Sequence, residues 1–145
     1  MTDKNQLSQW ADLLKRAIEA REYAYAPYSN YRVGAALLTQ SGKIYTGCNI
    51  ENAAYSPSNC AERTAIFKAV SEGERDFQAI AVVTINGGTP CGVCRQVIRE
   101  FAPDLIVIIG NLKGEYQVLA LPDLLPQSFG PENLEAAMKI PAGDR

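Results

Sequence analysis

The sequence predicts an α/β fold in which a central sheet carries helices on its faces. Two apolar runs, residues 79–85 and 105–109, are continuous, as expected of strands that are covered on both faces. Segments with helical periodicity lie before, between and after these runs, and strands that alternate with helices pack in layers around one sheet. A chain of 145 residues, 47% of them apolar, is long enough to bury its own core, so we expect residues 1–145 to form a single domain.

The first 48 residues predict a helix followed by a β-hairpin. Residues 5–24 form the helix, because apolar side chains recur on one face at a spacing of three or four residues. These are Leu7, Trp10, Ala11, Leu14, Ala17 and Ile18. The turn-forming segment 26–30 ends the helix. Residues 31–39 and 43–48 are strands joined by the two-residue turn Ser41-Gly42.

The rest of the chain alternates helices and strands. A helix over residues 60–71 has Asn59 as its predicted N-cap, and a helix over residues 91–101 has Thr89. The remaining predicted elements are strands at 79–85, 105–109 and 116–121 and a terminal helix at 131–138. The alternation from residue 43 to residue 109 favours right-handed crossover connections.

The charge balance and the missing residue types exclude several classes of function. Fourteen Lys and Arg against sixteen Asp and Glu give a net charge of −2, which argues against a nucleic-acid-binding surface. No apolar run approaches the roughly 18 residues of a membrane span, and the first six residues lack the apolar region of a secretory signal, so we expect a cytoplasmic protein. Histidine is absent, so any zinc must be bound by Cys, Asp or Glu, and a general acid or base must be a carboxylate, Lys, Tyr or Cys.

Three cysteines at two predicted helix N-termini form a candidate metal site. Cys91 and Cys94 form a C-x-x-C motif whose spacing places both on one helix face, and Cys60 lies 31 residues earlier. In a reducing compartment such thiols indicate a metal or catalysis before a disulfide. Three protein ligands leave a fourth tetrahedral position for water, which is the arrangement of a catalytic zinc. Glu62, two residues after Cys60, is then placed to exchange a proton with that water.

Other interpretations of these residues stay open on spacing alone. Cys91 and Cys94 are compatible with a redox pair, although a redox pair leaves Cys60 without a role. A structural zinc would use all four cysteines, whereas we interpret Cys48 as a small buried apolar side chain. Glu62 also suits the third position of a helix as an ordinary capping-box glutamate.

Five motifs occur in a specific order and spacing. Cys60-Ala61-Glu62 and Pro90-Cys91-Gly92-Val93-Cys94 match the signature of zinc deaminases in the form that has Cys in place of His. The matching segments are residues 26–29, 33–37, 47–56, 59–65 and 90–96. Over roughly residues 7–130 the sequence therefore resembles the cytidine deaminases of the small, homotetrameric type.

The resemblance implies a fold, a reaction and a cofactor. The fold is a three-layer α/β/α sandwich around a five-stranded mixed sheet. The reaction is the hydrolytic deamination of cytidine and 2′-deoxycytidine to uridine and 2′-deoxyuridine, with release of ammonia, as in pyrimidine salvage. The cofactor is one Zn²⁺ per subunit, and the resemblance implies a homotetramer with its sites at subunit junctions.

The resemblance assigns Cys60, Cys91 and Cys94 to the zinc and makes Glu62 the carboxylate that acts as base and acid in turn. Zn²⁺ with three thiolates has a net charge of −1, and this charge weakens the metal as a Lewis acid unless it is offset. Two helix N-termini contribute about half a positive charge each. The resemblance gives Arg63 the role of donating hydrogen bonds to the ligand sulfurs, and the alternative is a solvated arginine on the helix surface.

The first candidate substrate-binding residues follow the predicted hairpin in the sequence. Asn49 and Glu51 alternate at a strand end, so both side chains can reach one ligand, and an amide with a carboxylate suits adjacent hydroxyls. The resemblance makes this pair the ribose-binding residues, and a polar turn is the alternative. The further substrate-binding residues that it implies are Tyr31, which lines the base pocket, Ala61, and Tyr55 and Phe129, which reach a neighbouring subunit's site. Each of the three aromatic residues is also compatible with local packing.

Three alternatives to a cytidine deaminase match parts of the pattern. A deaminase of a cytosine-containing nucleoside antibiotic such as blasticidin would share the zinc motif, but segment 49–55 favours cytidine because it matches the ribose-binding stretch. A polynucleotide-editing deaminase needs a basic track for phosphates, which a net charge of −2 does not supply. A structural-zinc interaction domain would need Cys48 as its fourth ligand, so zinc binding after Cys48→Ala distinguishes it.

Overall fold

The computed structural model describes residues 3–145 and contains a five-stranded mixed sheet. Its strands are β1 (Gly34–Thr39), β2 (Ile44–Cys48), β3 (Phe77–Val83), β4 (Ile106–Gly110) and β5 (Tyr116–Ala120). The order across the sheet is β2-β1-β3-β4-β5. β3 and β4 are parallel, whereas β1 is antiparallel to both of its neighbours and β5 is antiparallel to β4. The expectation about the first six residues falls partly on Met1 and Thr2, which lie outside the described residues.

Five helices accompany the sheet in the described part of the chain. They are α1 (Lys4–Arg21), α2 (Ala61–Ser71), α3 (Gly92–Phe101), α4 (Leu121–Leu124) and α5 (Pro131–Met138), followed by a 3₁₀ turn at Ala142–Asp144. Over residues 3–145 no helix combines the length and apolarity needed to cross a bilayer.

The two faces of the sheet bury separate apolar clusters. Side chains alternate along a strand, so β1 directs Ala36 and Leu38 to one face and Ala35 and Leu37 to the other. On the first face α1 packs with Trp10, Leu13 and Ala17, and on the second α2 and α3 pack with Ala65, Ile66 and Ile98. The predicted three-layer α/β/α sandwich with a five-stranded mixed sheet is confirmed.

The predicted N-caps of α2 and α3 are wrong. Cys60 caps α2 in place of Asn59, and Cys91 caps α3 in place of Thr89. The carbonyl of Cys60 accepts a helical hydrogen bond from the N–H of Thr64 at 3.0 Å, whereas the backbone N–H and carbonyl of Asn59 both pair with Ile50 at 2.9 Å, outside the helix. The hydroxyl of Thr89 accepts a hydrogen bond from Arg95 Nη2 at 3.0 Å. Both helices therefore begin one residue after a cysteine.

β1 begins later than the sequence predicts, at Gly34 and not at residue 31. The side chain of Asn49 explains the difference. Its Nδ2 donates to the carbonyl of Tyr31 at 2.8 Å, and its Oδ1 accepts from the N–H of Val33 at 2.9 Å. The backbone of residues 31–33 is therefore held by the side chain of Asn49, whereas the backbone of a strand is held by hydrogen bonds to a neighbouring strand.

The first turn of α2 lies directly on β2. A Cβ built on Gly47 would lie 2.5 Å from the carbonyl oxygen of Ala61 and 2.6 Å from the N–H nitrogen of Ala65. Only a glycine at residue 47 permits this approach of helix backbone to strand backbone. The contact fixes the start of α2, and with it Cys60 and Glu62, against the sheet.

Candidate active site

Cys60, Cys91 and Cys94 lie together where α2 and α3 begin. Cys60 and Cys91 are the N-cap residues of the two helices, and Cys94 is buried in the first turn of α3. The three Sγ atoms all lie within 4.8 Å of one another, and those of Cys60 and Cys91 are 3.7 Å apart. Two helix N-termini, each with unpaired N–H groups and partial positive charge, therefore meet at three thiols.

The donor set and its surroundings fit a zinc ion. Thiolate sulfur is a preferred zinc ligand, and three ligands leave one position open. The guanidinium of Arg63 donates from Nη2 to Cys60 Sγ at 3.2 Å, and its buried Nε has no hydrogen-bond partner among residues 3–145. Hydrogen bonds with Cys94 and then with Arg63 lower the pKa of Cys60. The hydrogen bond with Cys60 and burial raise the pKa of Cys94. Cys60 is therefore the thiol of this pair that more readily becomes the thiolate, the form that binds metal.

Cys48 lies apart from this cluster. It ends β2 and lines a different cavity with Thr64 and Lys68. Burial raises the pKa of its thiol, which disfavours the thiolate that a metal needs. Cys48 is half-buried, so the prediction of a fully buried side chain is wrong, whereas its separation from the three clustered thiols agrees with the interpretation that it is not a metal ligand.

Glu62 occupies the second position of α2 and is 3% exposed. It is therefore not the third-position glutamate of a capping box. Burial raises the pKa of its carboxyl group. Since Glu62 and the sulfur ligands Cys60 and Cys91 line the same cavity, a proton carrier lies beside the candidate metal site.

The cavity in front of the sulfurs has a volume of about 330 Å³, within the usual range for a small-molecule site. Its walls come from the segment before β1, the segment after β2, the start of α2 and the loop that joins β3 to α3. Residues predicted from the sequence that line it are Tyr31, Asn49, Glu51, Cys60, Glu62, Arg63 and Cys91. The three-dimensional fold thus brings together most of the predicted site.

Glu51 is already held by the chain. Its Oε1 accepts from the N–H groups of Tyr28 and Ser29 at 2.9 and 3.1 Å, and its Oε2 accepts from the hydroxyl of Ser29. The hydroxyl of Ser29 is the main reason that the pKa of Glu51 is lowered. The side chain is therefore a fixed carboxylate at the cavity wall.

Tyr31 presents its ring to the cavity and is 37% exposed. Its hydroxyl donates to Asn86 Oδ1 at 2.5 Å. The bond connects two cavity walls that are 55 residues apart in the chain. Tyr31 is therefore a cavity residue and is not a core aromatic.

Three predicted substrate-binding residues do not line this cavity. Tyr55 is 73% exposed and packs edge-on against Tyr28, with ring centroids 6.1 Å apart. Phe129 is 57% exposed, and its carbonyl accepts from Gln96 Nε2 at 3.0 Å. Ala61 is the first residue of α2 and is fully buried.

Two residues that the sequence analysis did not single out organise the site. Ser29 holds Glu51, as described above. Arg95 donates to the carbonyls of Pro90 and Leu124, both at 2.7 Å, and to Thr89 Oγ1. Both residues fall inside the matching segments 26–29 and 90–96, so the motifs contained a signal for them.

A buried carboxylate beside three thiols that could hold a metal, facing a small-molecule cavity, is the arrangement of a zinc-dependent hydrolase. Residues 7–109 match the family described as the cytidine and deoxycytidylate deaminase zinc-binding region. The chain belongs to this family.

The names of similar proteins agree with this assignment. The chain is 54% identical over 128 residues to the cytidine deaminase of Sporosarcina psychrophila, with 86% of this chain and 94% of the relative covered. The crystal structure of cytidine deaminase from Burkholderia pseudomallei matches with a TM-score of 0.79 at 52% identity, covering 81% of this chain and 97% of that one. The blasticidin-S deaminase of Bacillus cereus is 33% identical over 111 residues, covering 70% of this chain and 79% of the relative.

Proposed function

We propose that this protein hydrolyses cytidine and 2′-deoxycytidine to uridine and 2′-deoxyuridine, with release of ammonia, in pyrimidine salvage. The observation that carries the proposal is the buried carboxylate of Glu62 beside the three thiols in one cavity. The similarity to cytidine deaminases at 54% identity supports the choice of cytidine over a nucleoside antibiotic.

Cys60, Cys91 and Cys94 would hold one Zn²⁺, which lowers the pKa of a water molecule and so supplies a nucleophile at neutral pH. Glu62 accepts a proton from the attacking water and delivers it to ring nitrogen N3. It then takes the remaining proton of that water from the hydroxyl now bound to C4 and passes it to the amino group that leaves, so that water and cytidine yield uridine and ammonia. Burial raises the pKa of Glu62, which favours the protonated state needed for the deliveries.

Arg63 completes the metal centre in this proposal. Its donation to Cys60 Sγ at 3.2 Å places positive charge against a ligand set that is negative overall. The N-termini of α2 and α3 add to that offset, since Cys60 and Cys91 cap them.

We assign recognition of the sugar to Asn49 and Glu51. A carboxylate has about four acceptor positions, and Tyr28 and Ser29 use three of those on Glu51, which leaves one for a sugar hydroxyl. Asn49 has one N–H left after its bond to Tyr31. A site that accepts from a single hydroxyl supports action on both the ribonucleoside and the deoxyribonucleoside.

We also infer that residues 1–145 form one deaminase domain and that the protein is a cytoplasmic homotetramer. Exposed Tyr55 and Phe129 support assembly, because each offers a large aromatic surface to a neighbouring subunit. Three thiol ligands support a reducing compartment, because oxidation would remove them from the metal. Light scattering coupled to gel filtration tests the assembly, and the mass of one subunit would contradict it.

The ultraviolet absorbance of the purified protein with cytidine tests the reaction. A steady change from the cytidine to the uridine spectrum is expected, with one zinc per subunit by elemental analysis. The same assay with blasticidin S is the control for the alternative substrate. A zinc-loaded protein that changes blasticidin S and leaves cytidine intact would contradict the proposal.

A further inference from the structure

We infer that Tyr31 is a positioning residue whose hydroxyl, acting through Asn86, fixes the β3–α3 loop, residues 84–91, which carries the ligand Cys91. The inference rests on the proposed function and deepens it. The roles already given concern the ring of Tyr31 as a wall of the base pocket. The hydroxyl has a separate partner on the opposite wall, and this contact points to a second role.

A chain of hydrogen bonds runs from Tyr31 into the loop. The hydroxyl of Tyr31 donates to Asn86 Oδ1 at 2.5 Å, and the same oxygen accepts from Thr84 Oγ1 at 3.3 Å. Thr84 Oγ1 in turn accepts from the N–H of Gly88 at 2.8 Å. Thr84 is 2% exposed, so the chain of bonds is anchored at the buried end of β3.

The other end of the bond is also fixed. The N–H of Tyr31 donates to Ser29 Oγ at 3.0 Å, and its carbonyl accepts from Asn49 Nδ2 at 2.8 Å. Ser29 and Asn49 thus hold the backbone of Tyr31 on its own side of the cavity, while its hydroxyl reaches the loop on the other side. A fixed donor can restrict the acceptor that it contacts.

The middle of the β3–α3 loop needs such a restraint. Gly87 has a φ of 71° and, like Gly88, has no side chain with which to pack. A Cβ at Gly88 would lie 2.7 Å from the hydroxyl of Tyr31, so the loop approaches that oxygen closely. Beyond the glycines, Arg95 holds the carbonyl of Pro90 and Thr89 Oγ1. The Tyr31–Asn86 bond and Arg95 therefore hold the loop at two points before Cys91.

Loss of the hydroxyl should loosen this wall while the aromatic ring stays in place. In Tyr31→Phe, transfer of zinc to a chromogenic chelator should become about threefold to tenfold faster, the effect expected from one ordinary hydrogen bond. KM for cytidine should rise by a similar factor, and kcat of the zinc-loaded enzyme should change less. Tyr23→Phe is the matched control, because Tyr23 is 84% exposed and lines a different cavity, and it should behave as the unsubstituted protein.

A double-mutant cycle separates the bond from a general effect of substitution. Asn86→Ala should reproduce the change in zinc release, and adding it to Tyr31→Phe should have little further effect. Asn86→Asp retains an acceptor for the hydroxyl and should restore most of the zinc retention. Additive effects of Tyr31→Phe and Asn86→Ala, or a Tyr31→Phe variant with unchanged zinc release and KM, would overturn the inference. Zinc release needs no substrate, so it gives an answer even if the unsubstituted protein proves inactive on cytidine.

Discussion

Replacing Glu62 with Gln removes a proton carrier and keeps almost the same side-chain size and shape. We expect Glu62→Gln to retain zinc, because Cys60, Cys91 and Cys94 are unchanged and the amide can occupy the same buried position. We expect turnover of cytidine to be nearly abolished, because the proposed reaction uses Glu62 in more than one proton transfer.

The size of the loss follows from the surroundings of Glu62. The side chain is 3% exposed, so bulk water is poorly placed to replace it. Glu51, the other carboxylate lining the cavity, is held by hydrogen bonds from Tyr28 and Ser29 and cannot turn toward the sulfurs without breaking them. One general acid or base contributes about 10²- to 10⁴-fold, so we place the loss in kcat at about 10⁴-fold at least. At 1.36 kcal/mol per factor of ten this is about 5 kcal/mol of transition-state stabilisation.

The assay is the decrease in cytidine absorbance at saturating substrate, with zinc measured in the same sample. Circular dichroism shows whether the fold is intact. A zinc-loaded, folded Glu62→Gln variant that turns over cytidine within tenfold of the unsubstituted enzyme would refute the assignment of Glu62 as proton carrier.

Three further substitutions test other parts of the site. Arg63→Ala should speed zinc loss to a chelator and lower kcat, because the ligand sulfur then lacks a charged donor; equal zinc retention and rate would contradict this role. Cys48→Ala should leave zinc stoichiometry and activity intact, and a loss of zinc would instead indicate a four-cysteine structural site. Ser29→Ala should raise the pKa of Glu51 toward its ordinary value, because the hydroxyl that stabilises the carboxylate is gone. An NMR titration of the Glu51 carboxyl carbon measures that shift. In the unsubstituted protein the lowered pKa stabilises the fold above the unfolded-state pKa, and this contribution disappears as the pH falls through the folded-state value.

The sequence predicted the metal centre because the signal is local. A C-x-x-C pair at a helix start places two sulfurs on one face, and Cys60-Ala61-Glu62 places a third thiol near a carboxylate at another helix start. Residues 131–138 were likewise predicted at the observed bounds of α5, since Pro131 is well suited to open a helix. Patterns of a few residues suffice for each of these features, because the residues within one motif are neighbours in the chain. That the two helix starts meet, although Cys60 and Cys91 are 31 residues apart, was predicted from the order and spacing of all the motifs.

The contacts that organise the cavity were not predictable in the same way. The Tyr31–Asn86 hydrogen bond spans 55 residues and the hydrogen bond from Arg95 to Leu124 spans 29, so no short sequence pattern predicts either one. The observed end of β3 also differs from the predicted one. The apolar run at 79–85 predicted a strand to residue 85, but β3 ends at Val83, and the hydroxyl of Thr84 accepts from the N–H of Gly88 in the loop that follows.

The backbone contact between α2 and β2 at Gly47 limits which substitutions the candidate metal site can tolerate. Where side chains separate a helix from a sheet, small rotations of those side chains can accommodate a larger residue. Here a Cβ at residue 47 would lie 2.5 Å from the backbone carbonyl oxygen of Ala61, so no side chain lies between that could rotate away. A methyl group added beneath the helix would have to move Cys60 and Glu62 together. The position of Cys60 and Glu62 relative to Cys91 and Cys94 on α3 therefore depends on residue 47 having no Cβ. A substitution outside the cavity can thus change the chemistry without contacting substrate or metal.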